Sequence, residues 1–212
     1  KPTRYLSKTL FIRGLRCHKS LYLQKHNPEL MDEVSEGLEA KFEGGREVGV
    51  VAQDLFPGGV EIKYDDASLS TQLAQTEEEI EKGAKVLYEA AFSYDGLFAK
   101  VDILRFHKGK WKIYEVKGST KVEDVHVSDL AFQYYVLKGC GLPISKAFLV
   151  HINNKYVRDG EIDVDELFNM LDRTQEVKGR QKFVKNEVSK MRRALSGRKA
   201  PAIDIGEHCS DP

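Results

Sequence analysis

Three acidic residues and one lysine occupy positions from which adjacent strands would bring them together. Glu89, Asp102 and Glu115 lie in three successive segments rich in Val, Ile, Phe and Tyr, and Lys117 follows Glu115 at a spacing of two. Short Asp-Gly and Lys-Gly turns separate the segments. This pattern predicts a three-stranded antiparallel meander that carries all four side chains.

The turns also predict which residues face one another. A turn centred on Lys108-Gly109 places Asp102 opposite Glu115. A turn centred on Asp95-Gly96 places Glu89 opposite Asp102. Directly opposed residues on one face have Cβ atoms about 4.5–5.5 Å apart, a separation at which carboxylates can share one cation. We therefore expect three carboxylates in one row, with the lysine on the same face.

Carboxylates this close predict a bound cation, because they repel one another unless some are protonated or a metal neutralises them. Ligation by oxygen alone favours a hard divalent ion, and we expect Mg²⁺ or Mn²⁺. Such an ion polarises a phosphoryl oxygen and lowers the pKa of a coordinated water. Lys117 would orient that water or offset charge in the transition state. The pattern therefore predicts phosphodiester hydrolysis.

The alternative is a solvated strand face that carries cross-strand Glu–Lys ion pairs. The flanking residues on both faces are apolar. The face shared with the carboxylates is predicted to carry Leu104, Phe106, Trp111 and Ile113, and the reverse face Val101, Ile103, Tyr114 and Val116. A sheet buried on both faces makes unpaired charge costly, which favours metal binding.

The other elements are predicted from turn residues and apolar spacing. In chain order we expect a helix or helix pair over 7–26, a long helix over 31–56, a short strand over 60–64, a helix over 69–83, strands over 86–94, 97–106 and 111–118, a helix over 124–137, a strand over 144–152, and a basic helix over 174–195. The strand over 144–152 follows the helix over 124–137 at the spacing of a βαβ unit, so it should pair in parallel within the same sheet. The predicted class is α/β, with a mixed central sheet flanked by helices.

Asp102, the Glu115-Val116-Lys117 triplet and Gln133 on the following helix resemble the motif of the PD-(D/E)XK nuclease superfamily. The resemblance is to its RecB-like branch, which includes the CRISPR-associated iron–sulfur exonucleases. The resemblance extends to three further stretches, Gly14–Lys19, Gly45–Gly49 and Gly206–Cys209. It therefore covers nearly the whole chain. It implies a restriction-endonuclease-like core of a helix, a three-stranded antiparallel meander, a helix and a strand.

The resemblance also implies roles for individual residues. Catalytic roles fall on Asp102, Glu115, Lys117, Glu47 and Gln133. The expected metal ligands are the carboxylates of Asp102, Glu115 and Glu47 and the Val116 carbonyl, to which the strand register adds Glu89. The alternative for Glu47 is an ordinary solvated position on a helix.

Cysteines near the two ends of the chain match part of an iron–sulfur motif. Related nucleases hold a [4Fe–4S] cluster with one cysteine near the N-terminus and three near the C-terminus, and Cys17 and Cys209 match the first two. Cys140 does not match, so the cluster would be complete only in a longer form with cysteines beyond Pro212. The alternative is that Cys17 and Cys209 are small buried or free thiols. We expect the chain to be a piece of a longer protein, with further domains or helicase-type partners.

The charge of the chain is balanced overall but uneven along its length. Lys and Arg number 33, as do Asp and Glu, so no global basic excess indicates a nucleic-acid partner. The C-terminal helix is nevertheless basic, and the candidate DNA-binding residues are Lys178, Arg180, Lys182, Lys185, Arg192 and Arg193, with Tyr134 on the preceding helix. The alternative is the solvated face of an amphipathic helix.

Length and composition predict one nuclease domain over 1–212, since 212 residues are enough for one substantial core. Its predicted parts are N-terminal helices (1–56), a connecting strand and helix (57–85), a catalytic core (86–153) and a basic helix with a cysteine-containing tail (154–212). An odd number of widely spaced cysteines and the lack of a long apolar run favour a cytoplasmic protein without a membrane partner.

We therefore expect a metal-dependent deoxyribonuclease, an exonuclease that acts on single-stranded DNA or duplex ends in repair or in defence against foreign DNA. The alternatives are a catalytically silent nucleic-acid-binding module of nuclease ancestry and a structural or interaction domain.

Overall fold

The computed structural model describes residues 5–63 and 68–209, which fold around a mixed sheet. In chain order its strands are β1 (Leu6–Ser7), β2 (Val60–Glu61), β3 (Val86–Tyr94), β4 (Leu97–His107), β5 (Lys110–Lys117), β6 (Ile144–Ile152) and β7 (Phe168–Asp172). Strands β2 to β7 are neighbours in that order, and β1 pairs with β4. The β2–β3, β5–β6 and β1–β4 pairs are parallel, and the others are antiparallel.

Helices cover both faces of this sheet. They are α1 (Lys8–Arg16), α2 (His18–His26), α3 (Glu36–Gln53), α4 (Leu69–Glu81), α5 (Asp124–Gly139), α6 (Val164–Leu167), α7 (Thr174–Gly179) and α8 (Gln181–Ser196), with short 3-10 turns at Pro28–Leu30 and Glu207–Cys209. The predicted class, an α/β fold with a mixed sheet flanked by helices, is confirmed. No helix in the described part of the chain is long and apolar enough to cross a membrane.

Two tight turns set the registers of the meander as predicted. Asp95 and Gly96 have φ angles of 48° and 69°, and Lys108 and Gly109 have φ angles of 49° and 77°. Positive φ at both central residues defines the type I′ turn, whose twist matches that of the adjoining strands. The resulting register places Leu104 opposite Leu87 on one side and opposite Ile113 on the other, as expected.

Strand β4 changes partner along its length, and this opens a fork in the sheet. Its first residues, Leu97 and Phe98, pair with β1, whereas its pairing with β5 begins at Ile103. Asp102 therefore lies where β4 and β5 separate. Lys8, which directly follows β1, reaches Asp102 and Glu115 at this gap.

The alternation of side chains is interrupted in the middle of β3 and β4. Leu87 and Ala90 belong to the same core cluster, as do Val101 and Leu104 on the facing strand, although each pair is three residues apart. Glu89 has a φ of 56°, a left-handed conformation that re-aims the residues following it. The prediction that Val101 and Leu104 lie on opposite faces is therefore wrong.

The sheet is buried on both faces, as the apolar spacing predicted. On one face α5 packs with α1 and α8, where the rings of Phe11 and Phe132 stack with centroids 4.7 Å apart. On the other face Ala52 of α3 packs in a cluster with Tyr114 and Val150. An aromatic stack of this kind contributes roughly 0.5–1.5 kcal/mol beyond its buried area, which fixes α1 against α5.

Element boundaries differ from the prediction in a few places. The first segment is a helix pair, one of its two predicted forms, but α3 begins at Glu36 instead of residue 31, and the basic helix is broken at Arg180. Strands β1 and β7 and helix α6 were not predicted, because they are too short for a periodic apolar signal. The predicted end of β2 at Tyr64 lies outside the described residues.

Candidate active site

The most enclosed charged group of the sheet is the Glu115 carboxylate on β5, whose side chain is only 1% exposed. Lys117 Nζ donates to its Oε1 at 2.6 Å, and Gln133 Nε2 donates to its Oε2 at 2.6 Å. Lys8 Nζ lies 2.9 Å from Oε1 and 3.1 Å from Oε2. The sequence predicted the first two of these partners but not Lys8.

A second carboxylate, Asp129 of α5, completes the surroundings of Lys117. Lys117 Nζ donates to Asp129 Oδ2 at 2.6 Å, and Gln133 Nε2 lies 3.3 Å from Asp129 Oδ1. Asp129 and Gln133 are one helical turn apart, so both face the sheet from the same side of α5. This spacing was a signal that could have identified Asp129 from the sequence once Gln133 was chosen.

Asp102 approaches the same cluster from β4 at the fork. Its Oδ2 accepts a hydrogen bond from the Val116 backbone amide at 2.7 Å, and its Oδ1 lies 3.9 Å from Lys8 Nζ. Because ladder pairing between β4 and β5 has ended at this point, the side chain replaces a backbone partner for the amide. Asp102 is thereby held beside Glu115.

Lys8 is the first residue of α1 and directly follows β1, which lies in the fork. Ser7 caps the helix, its Oγ accepting a hydrogen bond from the Leu10 amide at 3.3 Å. The parallel pairing of β1 with β4 and the stack of Phe11 on α5 fix the start of the helix. The sequence gives no local sign that Lys8 belongs to the site, because its main partner, Glu115, lies 107 positions away.

The cluster perturbs each of its titratable groups. Burial and the Glu115 charge raise the pKa of Asp102 to about 8, and the same two causes raise the pKa of Asp129. Burial opposes ionisation of Glu115 as well, but Lys117 and Lys8 outweigh it and hold the pKa of that carboxyl well below its usual range. Both lysines have a raised pKa despite burial, because carboxylates surround them. Near neutral pH the cluster therefore contains an ionised Glu115 and two ammonium groups.

The structure does not bring two of the predicted acidic residues into contact with this cluster. The Glu89 carboxylate pairs with Lys100 at 2.8 Å, and its left-handed backbone removes it from the predicted row. Glu47 lies exposed on α3 and has no described contact with Asp102 or Glu115. The third carboxylate of the cluster is Asp129 instead.

The donor chemistry of the cluster fits a hard divalent cation. Among the described residues no set of three Asp, Glu, His or Cys side chains surrounds one point as metal ligands would. The available donors are nevertheless all oxygens, and Gln133 Oε1 is a buried acceptor without a described partner. The Lys8 ammonium lies between the carboxylates of Asp102, Glu115 and Asp129, within 3.9 Å of each. Metal binding at this point would require Lys8 to move.

The candidate iron–sulfur residues lie at opposite ends of the described chain. Cys17 is half-buried at the start of α2, and Cys209 is exposed in the last 3-10 turn. Lys19 Nζ donates to the Ile203 carbonyl at 3.0 Å, so the segment before Cys209 lies against α2. Cys140 is separate and exposed after α5.

The candidate DNA-binding residues divide into three groups. Solvent-exposed cations on α7 and α8 are Lys178, Lys182, Lys185 and Arg193. Two arginines are engaged in ion pairs, Arg180 with Asp124 and Arg192 with Asp95. Tyr134 is only 6% exposed and packs in the core, so its side chain lies away from the exposed cations.

The fold and the site define a mixed α/β protein with a buried cluster of carboxylates, lysines and a glutamine at a fork in its sheet. No protein family and no curated protein matches the chain. The crystal structure of SSO0001 is similar to it at 10% identity and a TM-score of 0.44, covering 96% of this chain and 81% of that one. An alkaline exonuclease (LHK-Exo) from Laribacter hongkongensis is similar at 11% identity and a TM-score of 0.37, covering 92% of this chain and 91% of that one. Likenesses at this level assign neither a family nor an activity to this chain.

Proposed function

We propose that this protein is a nuclease of the PD-(D/E)XK type that uses Mg²⁺ or Mn²⁺ to hydrolyse phosphodiester bonds in DNA. The observation that carries the proposal is the buried Glu115 carboxylate, hydrogen-bonded to Lys117 and Gln133 and placed beside Asp102 at the fork. Charged groups are retained in a sheet core at high cost, and activated hydrolysis is a function that requires them there.

The acidic residues of the cluster, Gln133 and Lys117 each have a task in this reaction. Asp102, Glu115 and the Val116 carbonyl would hold the divalent ion, which supplies Lewis-acid polarisation of the phosphate and an activated water. Gln133 fixes the Glu115 carboxylate by donating to Oε2. Glu115 and Asp129 hold the Lys117 ammonium from two sides, each at 2.6 Å, so its charge is fixed in place before substrate arrives.

The exposed cations of α7 and α8 are proposed to track the DNA backbone. Lys178, Lys182, Lys185 and Arg193 have no described acidic partner, and phosphate contacts of this kind need no base recognition. We propose an exonuclease of the RecB-like branch, acting on single strands or duplex ends in repair or in defence against foreign DNA. A comparison of linear with circular DNA distinguishes cleavage at ends from cleavage at internal bonds.

Cleavage is tested on labelled linear and circular DNA, single-stranded and duplex, with Mg²⁺, Mn²⁺ or EDTA. We expect metal-dependent cleavage of linear substrates, lost in Asp102→Asn and Glu115→Gln and retained in Glu77→Gln, an exposed position on α4 that serves as the matched control. Resistance of the circular substrates would establish the requirement for ends. Equal cleavage by the wild type and both cluster variants would refute the assignment.

One observation favours a second candidate, a catalytically silent DNA-binding module. Lys8 neutralises the cluster internally, as a structural ion pair would. That candidate predicts DNA binding with no metal-dependent cleavage on any substrate, and binding that is unchanged in Glu115→Gln.

An iron–sulfur site is proposed only for a longer form of the protein, with Cys17 and Cys209 as two of its ligands. Additional domains or helicase-type partners belong to the same proposal. The measurement is iron content and visible absorbance of that longer form. Both should fall in Cys17→Ser and remain unchanged in Cys140→Ser.

A further inference from the structure

The hydrogen bonds of the Glu115 carboxylate leave no place for an additional ligand. Oε1 accepts from Lys117 and Lys8, and Oε2 accepts from Gln133 and lies 3.1 Å from Lys8. A carboxylate offers about four acceptor positions in total. A metal ion can therefore bind Glu115 only if one of these donors leaves.

Lys8 is the donor whose departure frees the carboxylate. Lys117 and Gln133 also donate to Asp129, at 2.6 Å and 3.3 Å, whereas Lys8 comes from outside the α5–β5 pair and lies 3.9 Å from the same carboxylate. Its ammonium sits on a flexible stem of four methylenes, and it contacts both Glu115 oxygens at once. Withdrawal of this one side chain opens an acceptor position on each oxygen.

The Lys8 ammonium already places a positive charge among the acidic side chains of the cluster. Its Nζ lies 2.9 Å from Glu115, 3.9 Å from Asp102 and 3.9 Å from Asp129, so it is a cation already held among three acidic side chains. A divalent ion a few ångströms from the ammonium would be strongly repelled in this poorly solvated site. The two cations are therefore expected to exclude each other.

We propose that the Lys8 ammonium occupies the cation position of the cluster and is displaced when a divalent ion binds. The proposal rests on the function proposed above and assigns to α1 the task of setting the metal concentration at which the site fills. In the absence of metal, the Lys8 ammonium neutralises the Glu115 charge by contacting both of its carboxylate oxygens. Metal binding in the wild type must break the Lys8–Glu115 ion pair. The free energy of that ion pair is subtracted from the free energy of metal binding, and the apparent metal affinity is lower as a result.

The first measurement is calorimetric titration of the EDTA-stripped protein with Mn²⁺. We expect Lys8→Met and Lys8→Gln to bind Mn²⁺ on the order of tenfold more tightly than the wild type, because charged hydrogen bonds no longer have to be broken. Lys82→Met is the matched control, since it removes the same charge from the exposed end of α4. An unchanged or weaker affinity in both Lys8 variants would overturn the proposal.

The second measurement uses the wild type alone and so does not depend on the folding of a variant. Acetylation of lysine amines by acetic anhydride is followed by mass spectrometry with and without saturating Mg²⁺. The Lys8 amine should be protected in EDTA and several-fold more reactive with Mg²⁺, while Lys82 should not change. Continued protection of Lys8 at saturating Mg²⁺ would show that it stays beside the metal, which contradicts displacement.

These outcomes separate this proposal from the proposed function. Metal binding that tightens in Lys8→Met without any DNA cleavage would support displacement and refute the nuclease. Metal-dependent cleavage with equal Mn²⁺ affinity in wild type and Lys8→Met would support the nuclease and refute displacement. No binding of either metal to any of these proteins would refute both.

Discussion

Replacement of Asp102 by Asn should change how the stability of the metal-free protein depends on pH. The folded protein raises the pKa of Asp102 to about 8 from an ordinary value of 3.8. Between these values the folded state keeps a proton that the unfolded chain has released. The free energy of unfolding therefore falls as pH rises, and stops falling near pH 8.

The magnitude follows from the size of the pKa change. Each pH unit within the window costs about 1.36 kcal/mol, so three units from pH 5 to pH 8 cost at most about 4 kcal/mol. Because the Asp102 side chain is 21% exposed, solvent screening reduces this to about 2–4 kcal/mol. Asparagine does not ionise, and its amide oxygen can still accept from the Val116 amide. Asp102→Asn should thus gain stability over the wild type steadily as pH rises.

The measurement is urea denaturation in EDTA at pH 5, 6, 7 and 8, comparing the variant with the wild type at each pH. The difference in unfolding free energy should grow with pH, and Asp159→Asn, an exposed control, should show a constant difference. Parallel curves for Asp102→Asn and wild type would show that Asp102 is ionised in the folded protein throughout. That result would refute the electrostatic account of the cluster.

Three further perturbations test other parts of the structure. Asp129→Asn removes one of the two carboxylates that hold Lys117. We expect kcat to fall on the order of tenfold in steady-state cleavage assays, with KM nearly unchanged. A roughly tenfold rise in KM with unchanged kcat would instead indicate a role in substrate binding. Phe11→Ala removes a fully buried ring stacked on α5, and the free energy of unfolding measured by urea denaturation should fall by about 3–5 kcal/mol. A fall of less than about 1 kcal/mol would show that α1 is not packed against α5. Replacing Lys178, Lys182 and Lys185 together by Ser should weaken DNA binding equally for all sequences and flatten its salt dependence, and an unchanged salt slope would remove this surface from the binding site.

The parts of the fold that depend on local sequence were predictable. The Asp95-Gly96 and Lys108-Gly109 turns fix their own geometry, and the register of three strands follows from them. The run from Ile144 to Ile152 has the bounds predicted for it, because an apolar segment between turn residues is a clear strand signal. The adjacency of Glu115, Lys117 and Gln133 followed from these elements together with the resemblance to a known motif.

The parts that depend on distant contacts were not predictable. Lys8 is separated from Glu115 by 107 positions, and only the pairing of the two-residue β1 with β4 brings it into the fork. The left-handed backbone at Glu89 has no signal in a non-glycine residue, so the predicted acidic row included it. The burial of Tyr134 was not predictable because α5 is buried on nearly all sides, and periodicity does not identify the solvent face of such a helix.

The position of Lys8 in the fork also determines when the acidic cluster can form during synthesis of the chain. The ion pair joins the first described helix to a strand and a helix from the middle of the chain. Contacts of such long sequence separation form late, after the intervening strands have been made and paired. A nascent chain that has not yet emerged through α5 therefore has Lys8 but neither Asp129 nor Gln133. The cluster is completed only when the core around it is complete, so the protein acquires its chemistry and its folded state together.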